Sequence, residues 1–423
     1  MYISLNDGAS RTAPADVVAP GKKKGTSRVS STVIMLGVVS MLTDVSSESV
    51  ASILPLYITS MLGLSTIAYG FIDGLNQGVS AIVRIGAGWA SDRADRPKWI
   101  AFFGYGLSAI ARVWLLFASG FSSLVAVIFV DRIGKGIRTA PRDALIAASS
   151  TPTNLGRSFG VHRMLDTIGA AAGPLIAFVI LLIVPDGYGA VFGASLAFAV
   201  VGLAILGLIV PNKRPRADRV SNAAPREKFR WRNLADPKLR RLLIASGLLG
   251  LLTIGDGFIY LVLQSRGAFA AEWFPLLYVG TNIAFLALAV PFGRLADRIG
   301  RVRIFVIGHC ALLAAYVAAA LPVTGAPITI LCLLLLGAFY AATDGILSAL
   351  ASQLTPLDSL ATGIAAAQTV VALSRLVAST GFGVLWFALG RAEAVFTVAI
   401  ALAIVIPIAL VLLRGVTAKQ VRT

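Results

Sequence analysis

The chain has 423 residues, of which 57% are hydrophobic and 13% charged, and its formal net charge is +17. Soluble domains carry about 25% charged residues, so this composition excludes a soluble enzyme, a disordered chain and a disulfide-stapled fold. Both cysteines, Cys310 and Cys332, lie in apolar runs, where we expect small buried side chains.

Long apolar stretches follow a polar, basic segment at 1–31, which we expect to be a cytoplasmic tail. Each is long enough to cross a bilayer. They are predicted at 32–62, 66–90, 99–118, 121–147, 158–184 and 188–210, and at 242–264, 271–293, 304–321, 327–354, 362–388 and 392–414. Segment 211–241 is predicted to be a basic linker and 415–423 a second tail. The sequence therefore predicts an all-α polytopic membrane protein, with 12 transmembrane helices in two six-helix bundles at 32–210 and 242–414.

Basic residues concentrate on one predicted side of the membrane. Of the 37 Lys and Arg residues, 27 lie in the tails and loops of that side, and only Arg266 and Arg391 lie in loops of the other. Cytoplasmic loops carry an excess of Lys and Arg, so we expect both termini in the cytoplasm and the protein in the inner membrane. The positive charge is then a sign of topology, and we expect no nucleic-acid partner.

Two landmarks recur across the predicted bundles. Residues 88–98 read GWASDRADRPK and residues 293–303 read GRLADRIGRVR, at an offset of 205. The dipeptide Thr-Pro occurs at 151–152 and again at 355–356, an offset of 204. Two landmarks at nearly the same offset, in equivalent loops, indicate duplication of a six-helix unit.

These features resemble the major facilitator superfamily over about residues 32–414. The loop motif of that family is similar to one set of residues and its repeat: Gly88, Asp92, Arg93, Arg96 and Lys98, then Gly293, Asp297, Arg298, Gly300 and Arg301. Asp95 departs from the motif, since the family has glycine there. The resemblance implies that Asp92 and Asp297 pair with helices of the opposite half, supported by the neighbouring arginines.

Two further motifs carry the resemblance. Arg132 begins a segment similar to the family's helix-4 motif, with Lys135 in place of glutamine. The helix-5 motif, typical of exporters, is similar to Gly169, Gly173 and Pro174. Three segments, at 41–49, 131–147 and 156–174, look like a subgroup of bacterial and archaeal facilitator permeases of unknown substrate. The family resemblance implies two bundles around a central site that opens alternately to each side.

Ionisable side chains inside the predicted spans are costly, at about 2.5–3.5 kcal/mol each near the bilayer centre. Asp44 and Glu48 are four residues apart in the first span and so share a helix face. Two carboxylates this close disfavour each other's ionisation, which suits binding and release of a proton or cation. We therefore expect Asp44, Glu48 and Arg132 to couple transport to an ion. The alternative is that the carboxylates form structural ion pairs with the fourth span.

One stripe of charged residues follows the fourth span: Asp131, Lys135, Arg138 and Arg142. Asp131 and Lys135 are one turn apart and are expected to form an internal pair. The remaining cations either attract an anionic substrate or form a gate network. At the start of the fifth span, Arg163 and Asp166 are expected to complete a salt-bridged inner gate.

The candidates for a substrate cavity are polar or aromatic residues within the spans: Lys135, Arg112, Asp73, Asn76, Gln77, Asp256, Gln264, Tyr278, Asn282, Gln368 and Arg375. Asp256 and Arg375 are expected either to pair across the bundle or to line the cavity. His162 is expected to be a hydrogen-bonded interfacial residue, the alternative being a group that titrates near neutral pH. His309 is expected to be a hydrogen-bonded structural residue.

The sequence contains no phosphate loop, hydrolase elbow or HExxH motif, so we expect neither an ATP-driven pump nor an enzyme, and no cofactor or metal site. We predict a monomeric, proton-coupled secondary transporter in the lipid bilayer. It would export a small amphiphilic or anionic organic compound by alternating access. The alternatives are an uptake permease, a metal-cation transporter that uses Asp44 and Glu48, and a non-transporting membrane sensor.

Overall fold

The chain is a succession of long α-helices. The computed structural model describes residues 29–93, 97–151, 154–212, 236–267, 269–355 and 360–416, without the side chains of 84–93 and 360–362. The first half contains α1 (Ser31–Leu56), α2 (Thr66–Arg93), α3 (Pro97–Leu115), α4 (Phe121–Ala148), α5 (Leu155–Ile183) and α6 (Tyr188–Leu208). The second half contains α7 (Pro237–Gly250), α8 (Asp256–Gly267), α9 (Phe274–Ile299), α10 (Arg301–Ala320), α11 (Ala326–Leu354), α12 (Leu360–Leu389) and α13 (Arg391–Leu413).

Eight helices in the described ranges are long and apolar enough to cross a membrane, with short turns extending α1 and α9. The others in the first half are α2, α3 and α4, which carry charged side chains within their length. In the second half α7 and α8 together occupy the place of one span. The protein is therefore a polytopic membrane protein of two six-helix halves, which confirms the predicted fold class.

The seventh span is interrupted near its middle. A continuous helix over 242–264 is a wrong prediction, because α7 ends at Gly250 and α8 begins at Asp256. Tyr316 of α10 bonds the open backbone twice: its hydroxyl donates to the Leu252 carbonyl (3.0 Å) and accepts from the Ile254 N–H (3.0 Å). A break inside a membrane persists only where protein groups bond the freed backbone, as they do here.

Successive spans alternate in direction, so the molecule has two opposite faces. We call the face where α1 begins and α6 ends the linker face, and the face where α2 begins and α8 ends the far face. Of the predicted linker, residues 213–235 lie outside the described ranges, as do the tails 1–28 and 417–423. Helix α7 starts within the predicted linker, where the Asp236 carboxylate caps it by accepting from the backbone of Lys238 (2.7 Å).

Helices α1 and α5 run parallel and pack with their backbones close together. A Cβ atom at Gly169 would overlap the backbone of Met41, and one at Gly173 would lie 2.8 Å from Ser49 N and 2.9 Å from Val45 O. Small residues at such contacts let membrane helices approach closely. The glycines of the helix-5 motif are therefore the contact surface of α5 on α1.

Replacing Gly169 by leucine is expected to destabilise the fold by about 1–3 kcal/mol or more, because α1 and α5 must move apart. The matched control is Gly160→Leu in the same helix, where an added Cβ meets no atom within 4 Å. Reversible unfolding in mixed micelles measures both variants. Equal loss of stability in the two would contradict this account of the contact.

Large apolar side chains cover the outside of the bundle, for example Phe117 and Leu208, which are 77% and 86% exposed. Lipid covers such surfaces in a membrane. Cys310 belongs to this exposed surface, so the prediction that both cysteines are buried is wrong for Cys310 and confirmed for Cys332.

Candidate functional site

A cavity of about 130 Å³ lies between the two halves. Residues from α1, α2, α8 and α9 line it: Glu48, Ala51, Leu54, Pro55, Tyr69, Asp73, Asn76, Gln77, Asp256, Gly257 and Tyr278. Six of these side chains were candidates from sequence, namely Glu48, Asp73, Asn76, Gln77, Asp256 and Tyr278. The structure brings them together from positions more than 200 residues apart in the chain.

Three carboxylates from three helices converge on this cavity. Asp256 accepts two hydrogen bonds from the Tyr340 hydroxyl, at 2.8 and 2.9 Å, and it is the first residue of α8. The positive end of the helix dipole favours a carboxylate at that position. Asp73 accepts from the Ser379 hydroxyl (2.6 Å), and Glu48 completes the set. The lining is acidic and contains two tyrosines.

The halves meet on the far-face side of the cavity. Asp73 of α2 bonds Ser379 of α12, and the Thr66 hydroxyl donates to the Gly383 carbonyl (3.1 Å). One turn further along α2, the Tyr69 ring stands 4.6 Å from the ring of Phe258. Since α2 begins at the far face, these contacts close the cavity on that side.

The contact of α2 with α12 is close because of its glycines. A Cβ at Gly74 would lie 2.7 Å from the Leu376 carbonyl and 3.1 Å from the Thr380 hydroxyl. A Cβ at Gly70 would overlap the carbonyl of Ser379. This face of α2 is therefore shaped to lie directly on the opposite half.

The charges of α3 and α4 form a buried cluster inside the first half. Arg112 Nη2 lies 3.3 Å from Asp131 Oδ1, and Arg132 donates to Asp131 Oδ2 through Nε (3.1 Å) and Nη2. Arg112 also donates to the Ser46 hydroxyl (3.3 Å). The predicted Asp131–Lys135 pair is therefore wrong, because two arginines surround Asp131 instead.

Among the described residues, the side chains expected to form an inner gate contact only other residues of the first half. Arg142 donates to the Ser40 hydroxyl (3.0 Å) and lies 3.1 Å from Asp143, while Arg163 lies 3.1 Å from Asp166. Arg138 donates to the Ser108 hydroxyl (2.9 Å) and stacks 4.7 Å from the ring of Tyr105. The two ion pairs lie within α4 and within α5, whereas the hydrogen bonds of Arg142 and Arg138 join α4 to α1 and α3.

Asp44 and Glu48 lie on one face of α1, directed at α4 and α5. Lys135 of α4 is close enough to attract both carboxylates. Asp44 also contacts the carboxyl group of Asp166. Arg132 instead bonds Asp131, so the structure groups Lys135, rather than Arg132, with the two carboxylates of the first span.

Arg375 and Asp256 are joined through an aromatic ring. The Arg375 guanidinium stands 5.5 Å from the Tyr340 ring and 5.8 Å from the Phe339 ring, and the Tyr340 hydroxyl bonds Asp256. Of the two expectations for this pair, the structure shows neither in full: Asp256 lines the cavity and Arg375 lies behind Tyr340.

Six predicted cavity residues lie outside its lining: Arg112, Lys135, Gln264, Asn282, Gln368 and Arg375. Arg112 is in the buried ion cluster, whereas the Gln264 amide donates to the Phe269 carbonyl (3.2 Å) and that of Gln368 to the Ser348 hydroxyl (3.2 Å). The reason is geometric, since spacing along a helix defines a face but not the direction in which that face points.

The two histidines differ from one another. His309 is buried and its Nδ1 lies 2.8 Å from the Phe305 carbonyl, which confirms the predicted structural role. His162 is also buried, but its Nε2 has no hydrogen-bond partner among the described residues. The expectation of a hydrogen-bonded interfacial histidine is therefore wrong for His162.

The loop motif is described in part. Gly88 belongs to α2. The described residues do not include Arg96 or the side chains of Asp92 and Arg93. Lys98 is buried and donates to the Gly207 carbonyl (2.9 Å). In the repeat, Gly300 has φ of +103°, a conformation that favours glycine.

Among the described residues, the repeat forms no ion pair or hydrogen bond across the halves in this conformation. Asp297 lies 3.3 Å from Arg301, and Arg301 donates to the Ala349 carbonyl (3.3 Å), all within the second half. Gly293 and Arg298 occupy the end of α9 beside this pair. The expectation that Asp297 contacts the opposite half is therefore wrong for this conformation.

Sequence reasoning missed three residues that shape the site. Tyr69 lines the cavity, Tyr316 bonds the break in the seventh span, and Ser40 joins α1 to α5. The break itself had a signal, since four glycines, at 247, 250, 255 and 257, surround it. The other residues are ordinary for their helices, and only the packing shows their contacts.

Comparison with known proteins agrees with this architecture. The family model "Major Facilitator Superfamily" matches residues 36–379. Over 367 residues the chain is 33% identical to an uncharacterised MFS-type transporter of Methanocaldococcus jannaschii, covering 85% of this chain and 89% of that protein. It is 29% identical over 276 residues to an uncharacterised protein of Mycobacterium tuberculosis, covering 63% and 66% of the two chains.

Solved structures show the same fold at low identity. A mutant form of the nucleoside transporter NupG superimposes with a TM-score of 0.77 at 14% identity, over 90% of this chain and 99% of that one. A POT family transporter in complex with a thioalcohol-conjugated peptide has a TM-score of 0.76 at 13% identity, over 91% and 96%. With the family model matched across most of its length, the chain belongs to the Major Facilitator Superfamily of secondary transporters.

Proposed function

We propose that this transporter exchanges protons for a small organic cation and exports it across the cytoplasmic membrane by alternating access. The acidic, tyrosine-containing cavity between the halves is the observation that carries the proposal. The far-face contacts of α2 with α12 and α8 support the direction of opening. With the linker face in the cytoplasm, as its basic loops favour, this conformation is the one that loads substrate from inside.

A cation is favoured over the anionic compound that the sequence predicts. That prediction depended on unpaired cations in α4, but Arg132 bonds Asp131, Arg138 bonds Ser108 and Arg142 bonds Ser40. The carboxylates of the cavity attract a positive group, and the faces of tyrosine rings add cation–π attraction. An amphiphilic amine or quaternary ammonium compound has both features.

Protons are favoured as the coupling ion at Asp44 and Glu48. Lys135 lies beside both carboxylates, and its ammonium group repels a metal cation from the same place. A proton is compatible with this arrangement, because Asp44 also faces Asp166 and like charges at close range do not both stay ionised. The glycines of α5 favour export over uptake. The direction of proton movement, measured in the following experiment, tests this choice.

The test is a proton-flux measurement in proteoliposomes that contain a fluorescent pH indicator. Three permanently charged cations, choline, tetraethylammonium and benzyltrimethylammonium, are added outside, since none of them carries a proton through lipid. The controls for choline are its neutral isostere 3,3-dimethylbutan-1-ol and the anion 3,3-dimethylbutanoate. We expect at least one cation to make the interior alkaline by exchange with internal protons, and the two controls to match protein-free vesicles.

Three outcomes count against the proposal. No response to any of the three cations overturns the substrate class, and acidification of the interior shows uptake with protons instead of exchange. A larger response to the anion than to choline restores the anionic substrate.

The Asp256→Asn variant is expected to lower the cation response at least about tenfold, because it removes a cavity charge held by Tyr340. The control is Asp186→Asn, an identical change at an exposed residue outside the cavity lining. The same flux assay compares the two variants with the unmodified protein. An equal loss in both would show that Asp256 acts through overall charge and not through the cavity.

A further inference from the structure

A column of polar and titratable side chains follows the contact between α1 and α5. Ser158, His162 and Asp166 are each four residues apart and are buried on one face of α5. Ser40, Asp44 and Glu48 repeat the same spacing on α1. Residues four apart on a helix lie above one another on one face. Because the two helices run parallel from the linker face, the two stripes lie side by side.

The middle of the column is continuous. The Ser40 hydroxyl donates to Asp166 Oδ1 (2.7 Å), which joins the two helices. The Asp166 carboxyl group contacts that of Asp44, one turn above Ser40. One further turn along α1, Glu48 lines the central cavity. A path of protonatable groups therefore leads from Asp166 to the cavity.

The end of the column nearest the linker face has polar atoms that lack protein partners. Within the described ranges, the Ser158 hydroxyl and His162 Nε2 are buried without a hydrogen-bond partner. Ser158 is 0% exposed and His162 is 4% exposed. Buried polar atoms in native proteins are almost always bonded, and where protein groups are absent water takes their place. Successive turns are about 5.4 Å apart, which is a spacing that one bridging water spans.

We propose that protons travel between the linker face and the cavity along this α1–α5 column, with His162 as the first titratable acceptor. The proposal rests on the proton coupling proposed above. It separates the proton route, which lies inside the first half, from the substrate route between the halves. Chains of Asp, Glu and His are the usual means of proton relay within membranes.

The charged neighbours of each group are consistent with a relay. His162 faces Arg142 from α4, together with Arg163 and Asp166 on its own helix. Asp166 faces Asp44 from α1 and the same two arginines. Both arginines repel a positive charge on His162 and attract a negative charge on Asp166. A proton on His162 is then attracted one turn onward to Asp166.

Asp44, the next group, faces Lys135 from α4, Glu48 from its own helix and Asp166 from α5. Arg142 and Arg163 lie beside Asp166, and Lys135 offsets one of the two other negative charges, so a single arriving proton balances the last one. The column therefore holds one proton at a time close to Glu48 and the cavity.

The sequence contains two histidines, so the first test can observe His162 without interference from many other imidazole rings. Histidine-selective labelling of the full protein in bilayers produces two imidazole signals, and His309→Phe identifies them. In water-edited solid-state NMR, we expect the His162 ring to receive magnetisation from internal water. His309, packed between Phe305 and Phe339, is the dry control. If magnetisation from water reaches the His162 ring as slowly as it reaches the His309 ring, the proposal of a hydrated proton path along α1 and α5 is overturned.

The second test measures protonation without any transported compound. After a pH jump on the linker side, infrared absorption of the carboxylic C=O group reports proton arrival at Asp44 and Asp166. We expect His162→Leu to slow this signal at least tenfold, His162→Gln to slow it less, and His309→Leu to leave it unchanged. An unchanged rate in both His162 variants overturns the relay.

The two proposals fail separately. If cations drive proton exchange in the flux assay but His162→Leu leaves that exchange intact, the relay is wrong and the function stands. If no cation drives exchange, the function is wrong, while the infrared and NMR results still decide whether the column conducts protons.

Discussion

Replacing Asp131 by asparagine is expected to destabilise the first half by about 3–5 kcal/mol, the usual cost of breaking a buried ion pair. Asp131 and Arg112 are 1% and 2% exposed, and Arg132 shares the same carboxylate. The variant leaves two buried guanidinium groups facing a neutral amide. Reversible unfolding in mixed micelles measures the loss of free energy.

The matched control is Asp297→Asn, the same chemical change in an exposed pair with Arg301. Exposed ion pairs contribute about 0–1 kcal/mol, so we expect this variant to unfold nearly as the unmodified protein does. Similar losses for Asp131→Asn and Asp297→Asn would refute the view that α3 and α4 are held together by a buried charge cluster.

Replacing Gly74 by leucine is expected to shift the protein towards a conformation open at the far face. Its side chain would collide with the Leu376 carbonyl and the Thr380 hydroxyl, which belong to the opposite half. Overpacking of this kind costs about 1–3 kcal/mol, which corresponds to a change in populations of about 5- to 150-fold. The clash raises the free energy of the conformation closed at the far face, whereas a conformation with α2 and α12 apart has no such clash.

The shift is measured as a longer distance between two spin labels, at positions 61 and 265 near the far-face ends of α1 and α8. The labelled protein has Cys310 and Cys332 replaced, so that only these two positions react. The control is Gly381→Leu in α12, where an added Cβ has no neighbour within 4 Å. An unchanged distance in Gly74→Leu would show that the glycine contact does not hold the far face closed.

The two halves use their polar residues differently. In the first half, Arg112, Asp131 and Arg138 bond one another or nearby hydroxyls across neighbouring helices. In the second half, α7 and α8 are separated by a break, and Asp256 begins α8 at the cavity. Buried charges therefore join the helices of the first half, whereas the second half presents an interrupted helix to the cavity.

Much of the architecture was predictable because the bilayer restricts what a chain can do. The lengths of apolar segments indicated the spans, and the loop lysines and arginines favour the linker face as the cytoplasmic one. The repeat at 88–98 and 293–303 indicated two similar halves, and Asp73 and Asp256, singled out as charges inside spans, both line the cavity. These inferences need only the free energy of placing a residue type in lipid, which is a property of the sequence.

The partners of the internal charges depended on tertiary structure. The pattern of α4 favoured Asp131 with Lys135, but Arg112 from another helix takes that carboxylate and leaves Lys135 to Asp44 and Glu48. All the cations near a carboxylate have the same charge, so the charge alone does not decide which of them pairs with it. The distance between atoms on different helices decides. Tertiary structure also explains how a chain of net charge +17 contains an acidic cavity: most of its basic residues lie outside the predicted spans, while three carboxylates line the centre.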